Sequence, residues 1–379
     1  MKNRDQYSRR KFLIDIGASA FTASALASLS ACNAKTKQEA KSESRIMENK
    51  KADKLGIALV GLGKYSSGQL APALKETQHC YLAGIVTGTP EKADNWKRKY
   101  EISEGNIYNY INFDEIKNNR DIDIIYVVLP NAMHREYVVR AAQAGKHVIC
   151  EKPMAITVED CDAMITACKN ANRLLSVGYR LHFEPHNKEM MRLGQEKVLG
   201  EIKAMQAQHG MNDVDGWRLD KALAGGGPLM DVGIYCVQGV RYTTGMEPVF
   251  VRAQQGVKKN REKFKEVEES LTCEMEFPNG IIAECKTSYS DEMNLLRADA
   301  EKGWFELSPA YEYEGIKGKT SEGKMDFPQV NQQAKQMDDF AQAIMNNRPT
   351  PVPGEMGRQD VKILSAIYQA METGNRVKI

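Results

Sequence analysis

The 379-residue sequence lacks long apolar runs outside its first thirty or so residues. No later segment approaches the roughly 20 consecutive apolar residues that a membrane-spanning helix needs. It also lacks a C-x-x-C pair. Of eight Cys, Cys32 lies in the leader; the other seven (Cys80, Cys150, Cys161, Cys168, Cys236, Cys273 and Cys285) are an odd number and sit mostly in apolar runs. This argues against a disulfide framework and for small core residues. There is no basic excess to attract nucleic acid. The formal net charge is +2, but residues 1–53 hold 11 Lys/Arg against 6 Asp/Glu and the remainder 41 against 44, a net of −3. No internal repeat and no Ser-His-Asp or Cys-His pattern stands out. His182 and His186 are interrupted by Pro185 and have no evident third ligand, so no metal site is expected. With 42% apolar and 27% charged residues the chain is of ordinary globular composition, and its length suggests two domains.

What is present begins with a leader. Arg9-Arg10 precede an Ala/Ser-rich apolar run from Phe12 to Leu29, interrupted only by Asp15 and followed by Leu29-Ser30-Ala31-Cys32. A paired Arg before a short apolar run reads as a twin-arginine export signal. Leu-Ser-Ala-Cys is similar to a lipobox, at which Cys32 would receive lipid. The alternatives are a plain signal peptide or a single N-terminal anchor. Residues 33–54 are polar and without apolar period, a tether whose free chain spans roughly 25 Å. The expected division is therefore 1–32 signal, 33–54 linker or arm, 55–180 nucleotide-binding domain and 181–379 substrate and oligomerisation domain. The expected location is the periplasm or cell envelope.

From Leu55 strands and helices alternate. Strands are expected at 57–60, 80–87, 123–129, 147–150 and 174–177, and helices at 69–75, 90–100, 132–144 and 158–170. That alternation implies a doubly wound parallel sheet. The second half reads differently: helices at 190–198, 229–243, 330–346 and 357–371, with strand-like runs at 249–257, 270–277, 281–289 and 304–307. Phe277-Pro278-Asn279-Gly280-Ile281 is a hairpin signal. The fold class is α/β, a Rossmann domain followed by an α+β domain with a large, mostly antiparallel sheet.

Gly61-Leu62-Gly63-Lys64-Tyr65-Ser66 directly follows the first strand and matches G-x-G-x-x-G/A with Ser in the third place. The first Gly permits the tight turn, the second lets a pyrophosphate approach the backbone, and the third position needs only a small residue. The second strand ends Val86-Thr87-Gly88-Thr89, without the acid that an NAD site places there for the ribose hydroxyls. The Thr87 hydroxyl and the Lys92 ammonium suit the extra phosphate of NADP, with Lys97 and Arg98 further along the same helix. The plain reading, a solvated Lys92 and a permissive site, leaves NAD open. Leu129-Pro130-Asn131 and His134 lie at the carboxyl edge of the buried third strand, where ligands of such sheets bind; the plain roles are an N-cap for Asn131 and a helix surface for His134. Cys150-Glu151-Lys152-Pro153 ends the next strand on that edge. Lys152 would sit by a nicotinamide, Glu151 could orient its ammonium, and the Lys-Pro bond invites a cis peptide. After Gly225-Gly226-Gly227-Pro228, Asp231 and Tyr235 are four apart and share a helix face.

Together these residues resemble the glucose-fructose oxidoreductase/inositol dehydrogenase (Gfo/Idh/MocA) family, and within it most the glucose-fructose oxidoreductase branch. The resemblance rests on ALVGLGKY at Ala58, TGTPEKA at Thr87, YVVLPNAMH at Tyr126, AGKHVICEKPMA at Ala144, GYRLHFEPHN at Gly178, WRL at Trp217, LAGGGPLMDVGIY at Leu223 and PGEMGRQDVKILSAIY at Pro353. It spans nearly all of the chain beyond the leader. It implies Lys152 beside the nicotinamide, Tyr235 as the acid/base and Asp231 holding the sugar. Gly61, Gly63, Lys64, Tyr65, Thr87, Lys92, Tyr110, Asn131, Glu151, Arg180, Trp217, Arg218 and Tyr313 match cofactor-contacting positions. It also implies a homodimer or homotetramer. The departures are Ser66 for Ala, Thr87 for Ser, and a shorter stretch at 208–216 bordering the sugar pocket.

The activity so implied is hydride transfer between a sugar hydroxyl carbon and NADP. Export adds a constraint, because the periplasm supplies no NADP pool. The leader and the nucleotide fingerprint are compatible if NADP is bound tightly, inserted before export and reoxidised in place by a second sugar. The expected partners are small sugars, with contact to membrane only through the signal or a lipid anchor. The rivals are an NAD-assisted glycoside hydrolase of the same fold family, an ordinary sugar dehydrogenase and a non-catalytic sugar-binding lipoprotein.

Overall fold

The computed structural model describes residues 54–379; the expected export signal, the lipobox-like run with Cys32 and nearly all of the expected 33–54 linker or arm lie outside the described residues. The first domain is built on a six-stranded parallel sheet ordered β3-β2-β1-β4-β5-β6, from β1 (Leu55–Val60), β2 (Cys80–Val86), β3 (Ile107–Tyr108), β4 (Ile124–Val127), β5 (His147–Cys150) and β6 (Leu175–Val177). β1 and β4 pair in register from Ile57↔Ile124 to Val60↔Val127. They are apolar at every position because helices cover both faces, as parallel sheets require. Ala58, Val60, Ile125 and Val127 face one core, and Ile57, Leu59, Ile124 and Tyr126 the other. Around the sheet lie α1 (Pro90–Tyr100), α2 (His134–Gln143) and α3 (Val158–Asn170), the last capped by the Thr157 hydroxyl, which accepts from Asp160 N–H at 3.1 Å. The first helix starts at Ser66 rather than at Gln69, with a π-type turn Ser66–Leu70 running into Ala71–Ala73.

The second domain contains α4 (Pro185–Gln195), α5 (Ile234–Thr244) and a nine-stranded sheet ordered β14-β13-β12-β11-β7-β10-β9-β8-β15. Its strands are β7 (Ile202–Gly210), β8 (Phe250–Gln255), β9 (Ser270–Glu276), β10 (Ile282–Ser288), β11 (Met293–Ala300), β12 (Gly303–Leu307), β13 (Gly318–Thr320), β14 (Gly323–Met325) and β15 (Val377–Lys378). All pairs are antiparallel except β7 with β10. The hairpin expected at Pro278-Asn279-Gly280 joins β9 to β10, with Gly280 at φ +84°. β7 and β11, central to the sheet, had no sequence signal: IKAMQAQHG and MNLLRADA are rich in Ala, Met, Gln and Leu, which favour helix when taken alone.

The two final helices, α6 (Gln332–Met345) and α7 (Gly354–Thr373), bind the domains together. α7 packs on α3 of the first domain and β8 of the second. α6 returns to the first sheet, where Ala334, Met337, Phe340 and Ala341 join the core of Ile57, Leu59 and Leu70. Phe340 is fully buried there. Phe340→Ala should cost about 3–5 kcal/mol by cavity formation and lower the thermal midpoint by several degrees; an unchanged midpoint would show that α6 is not part of the folded core.

Candidate active site

A cleft of about 1610 Å3 opens between the domains at the carboxyl ends of β1, β2, β4 and β5. Gly61 opens the loop that forms its floor. Its φ is +93°, and an added Cβ would lie 2.3 Å from the Val128 carbonyl oxygen, so no other residue fits the turn. At Gly63 an added Cβ would meet nothing within 4 Å, which leaves this stretch of backbone open to a ligand. Ser66, in the third position of the fingerprint, is buried and donates to the Gly61 carbonyl at 2.6 Å, closing the turn with its own hydroxyl. The helix behind it takes no side-chain cap, and such an N-terminus suits a phosphate. The residues present thus fit a dinucleotide.

The cleft is lined by Gly61, Gly63, Lys64, Tyr65, Thr87, Lys92, Tyr110, Leu129, Pro130, Asn131, Glu151, Lys152, Arg180, Trp217, Arg218, Asp231, Tyr235 and Tyr313. Of the expected site residues His134 alone is not on its wall. It is fully buried, with Nε2 2.8 Å from the Leu129 carbonyl oxygen and Nδ1 3.0 Å from that of Pro153, so it ties the end of β4 to the Lys152–Pro153 turn. That peptide bond is cis, as the sequence suggested. Two secondary expectations change. Asn131 does not cap α2; its amide donates to the Ala224 carbonyl at 2.7 Å, across the domain boundary. Glu151 does not hold the Lys152 ammonium. Its carboxylate accepts from the Tyr126 hydroxyl at 2.7 Å and from the Lys152 backbone N–H at 3.2 Å, because the side chain turns inward against Gly178. Burial raises the Glu151 carboxyl above its usual range, against the Tyr126 hydrogen bond and the Lys152 charge.

Asp231 is what holds Lys152. The ammonium donates to the Asp231 carbonyl at 2.6 Å and faces its Oδ1 at 3.4 Å. Oδ2 accepts from Arg218 Nε at 2.8 Å and from the Tyr289 hydroxyl at 3.1 Å. Burial alone would push this carboxyl up, but the charges of Arg218 and Lys152 outweigh it and hold the group at about 2. Asp231 lies in the π-type turn Leu229–Gly233 that leads into α5, and Tyr235 follows in the first turn of that helix. The Tyr235 ring has Lys152 Nζ 4.7 Å from its centroid and the Arg180 guanidinium at 5.1 Å. Both cations lie against the Tyr235 ring.

Sequence reasoning missed His209, Tyr289 and Tyr311. His209 lies on β7, stacked on Tyr311 at 4.7 Å and edge-on to Tyr235 at 5.3 Å. Burial, with Lys152 and Arg180 nearby, lowers it to about 3, so it is neutral, and its Nδ1 is buried without a hydrogen-bond partner. No signal in the sequence could single it out, since its strand was itself not legible. At the other end of the cleft Lys92 reaches the wall from the first turn of α1, whereas Lys97 pairs with Glu104 and Arg98 with Asn95. Among the described residues no three His, Cys, Asp or Glu side chains group to hold a metal, and no helix is long and apolar enough to cross a membrane.

Two family models match this architecture. The oxidoreductase family with NAD-binding Rossmann fold matches residues 55–179, and the GFO/IDH/MocA C-terminal domain matches residues 187–306. Among solved structures, the aldose-aldose oxidoreductase from Caulobacter crescentus, complexed with glycerol, is 42% identical, with a TM-score of 0.84 over 86% of this chain and 100% of that one. The D-xylose 1-dehydrogenase [NADP(+)] of Haloarcula marismortui is 29% identical over 341 residues, 85% of this chain and 92% of its own length. The D-glucoside 3-dehydrogenase of Escherichia coli K12 is 29% identical over 278 residues, 68% of this chain and 79% of its own. The chain belongs to the Gfo/Idh/MocA family of oxidoreductases with an NAD(P)-binding Rossmann domain.

Proposed function

We propose that this protein is an exported sugar oxidoreductase that keeps NADP bound and passes a hydride from one sugar to a second in the manner of glucose-fructose oxidoreductase. The observation that carries this reading is the Lys152–Asp231–Tyr235 cluster, set in one cleft with the Gly61–Gly63 loop. The likeness to an aldose-aldose oxidoreductase supports the two-sugar form, and the D-xylose 1-dehydrogenase supports NADP. A nicotinamide nucleotide would be held by Gly61, Gly63, Thr87 and Lys92, and when bound it would supply the hydride acceptor and donor. Tyr235 takes the proton of the reacting hydroxyl at its phenolic oxygen and returns it when the second sugar is reduced, so no proton accumulates over a cycle. Lys152 and Arg180 stabilise the phenolate by charge. Asp231 keeps the Lys152 ammonium in place and has acceptor capacity left for a sugar hydroxyl. Export by the twin-arginine route, lipid on Cys32 and assembly into a homo-oligomer belong to the same proposal.

The test is to purify the protein without added nucleotide, denature it and identify what is released. Close to one NADP(H) per chain supports the reading, and adding one aldose should then reduce the nucleotide and a second sugar reoxidise it. One NAD per chain, with free sugar released from glycosides, would favour the hydrolase. An empty protein overturns tight binding. Lys92→Ala should lower the preference for NADP over NAD by about tenfold or more, the worth of one charge-assisted hydrogen bond. Nucleotide affinities of apo-protein check it, and an unchanged ratio removes Lys92 from the 2′-phosphate site.

A further inference from the structure

Pro228 has no N–H and caps nothing, yet it stands at the N-terminus of the turn that carries Asp231. The open N–H groups there are met from elsewhere. Glu268, buried and some forty residues later in the chain, accepts from Gly227 N–H with Oε2 at 2.9 Å and from Leu229 N–H with Oε1 at 3.2 Å. Its Oε1 also accepts from the Tyr368 hydroxyl of α7 at 2.8 Å. Two of the three glycines of the GGGP stretch, Gly226 and Gly227, are explained by this cluster. An added Cβ at Gly226 would lie 2.0 Å from the Tyr368 hydroxyl, and one at Gly227 would lie 2.4 Å from the Glu268 carbonyl oxygen. The turn is further fixed by Thr287, whose hydroxyl donates to the Pro228 carbonyl at 3.1 Å. Within it, Asp231 N–H donates to the Gly227 carbonyl at 3.3 Å. The neighbouring Glu269 reaches the same carboxylate by a second route: its carbonyl accepts from Tyr289 N–H at 2.9 Å, and the Tyr289 hydroxyl donates to Asp231 at 3.1 Å.

We infer that Glu268 is a positioning residue for the reaction: it fixes the main chain of Gly227–Leu229 so that the carbonyl and carboxylate of Asp231 meet the Lys152 ammonium. It supplies, from the segment just before β9, the cap that Pro228 cannot, and a carboxylate at a helix N-terminus is favoured by the peptide dipoles. It touches neither the cleft nor a substrate, and acts through Asp231. The inference rests on the proposed role of Lys152 and Tyr235, so one of its tests is independent of turnover.

Glu268→Gln keeps shape and burial but turns one acceptor into a donor opposed to a backbone N–H. The crystal structure of this variant should show the Leu229–Gly233 turn displaced and the Lys152–Asp231 contact lengthened; an unmoved turn and contact overturn the inference whatever the substrate proves to be. In the holoenzyme, the rate of reduction of bound nucleotide by sugar should fall between about 10-fold and 10²-fold per nucleotide-loaded site, with nucleotide content unchanged. In a Lys152→Met background the same substitution should have little further effect, since both act through one contact. A merely structural role would lower stability or nucleotide content and leave the rate per loaded site alone, which overturns the inference. Failure of wild-type protein to reduce its nucleotide with any sugar would instead overturn the proposed function, leaving the crystallographic result to decide the role of Glu268.

Discussion

Tyr235→Phe should lower turnover by at least about 10²-fold while leaving the bound nucleotide at its wild-type amount. The variant is a narrow one. The Phe ring preserves the contacts with His209 at 5.3 Å and Tyr311 at 5.9 Å, and it still lies within reach of the Lys152 and Arg180 charges. Only the phenolic oxygen is lost, and with it the acceptor proposed for the hydroxyl proton during hydride transfer. The expected readouts are slow absorbance change of the nicotinamide on mixing with sugar and normal release of nucleotide on denaturation. Unchanged turnover would move the proton transfer to another group facing the cleft. Loss of nucleotide together with turnover would mean that the ring serves the cofactor site.

Asp231→Asn should cost both activity and stability, and the stability part has a defined pH dependence. The carboxylate counters Lys152 and Arg218 in a largely buried place, and its folded value of about 2 lies below the ordinary 3.8. A depressed carboxyl contributes stability that is complete above its unfolded value and disappears as pH falls through the folded one. The size is about 2 kcal/mol at neutral pH. Denaturant unfolding should therefore show the variant less stable by about that amount at pH 7, with the gap shrinking between about pH 4 and pH 2. Turnover should fall by about 10²-fold or more, since Lys152 keeps the Asp231 carbonyl but loses the carboxylate charge that faces its ammonium. A gap that persists unchanged below pH 2 would mean that packing, not charge, is what Asp231 contributes.

Much of the site was legible because it is local. Gly61 and Gly63 stand in a strand–turn–helix, and at Gly61 the positive φ and the nearby Val128 carbonyl admit only Gly. Lys152 follows a four-residue buried strand, and Asp231 and Tyr235 stand one turn apart. The errors concern what lies across space. His134 reads as a surface or site His from its helix but is held by Leu129 and by the Pro153 turn. Glu151 adjoins Lys152 in sequence, yet its carboxylate turns to Tyr126. His209 stands on a strand whose residues have little preference for strand at all.

From sequence alone came the alternation of strand and helix in residues 55–180, the dinucleotide turn, the β9–β10 hairpin and the family resemblance, since each depends on residues within a few positions of one another. Only the tertiary structure decided that β7 and β11 are strands, because pairing and burial, not intrinsic preference, make them so. It alone decided which charge answers which. Asp231 is ionised and Lys152 is aimed because Arg218, Tyr289 and Glu268 are brought to one turn from positions up to fifty-eight residues away, and the energy of a buried charge is set by its neighbours in space.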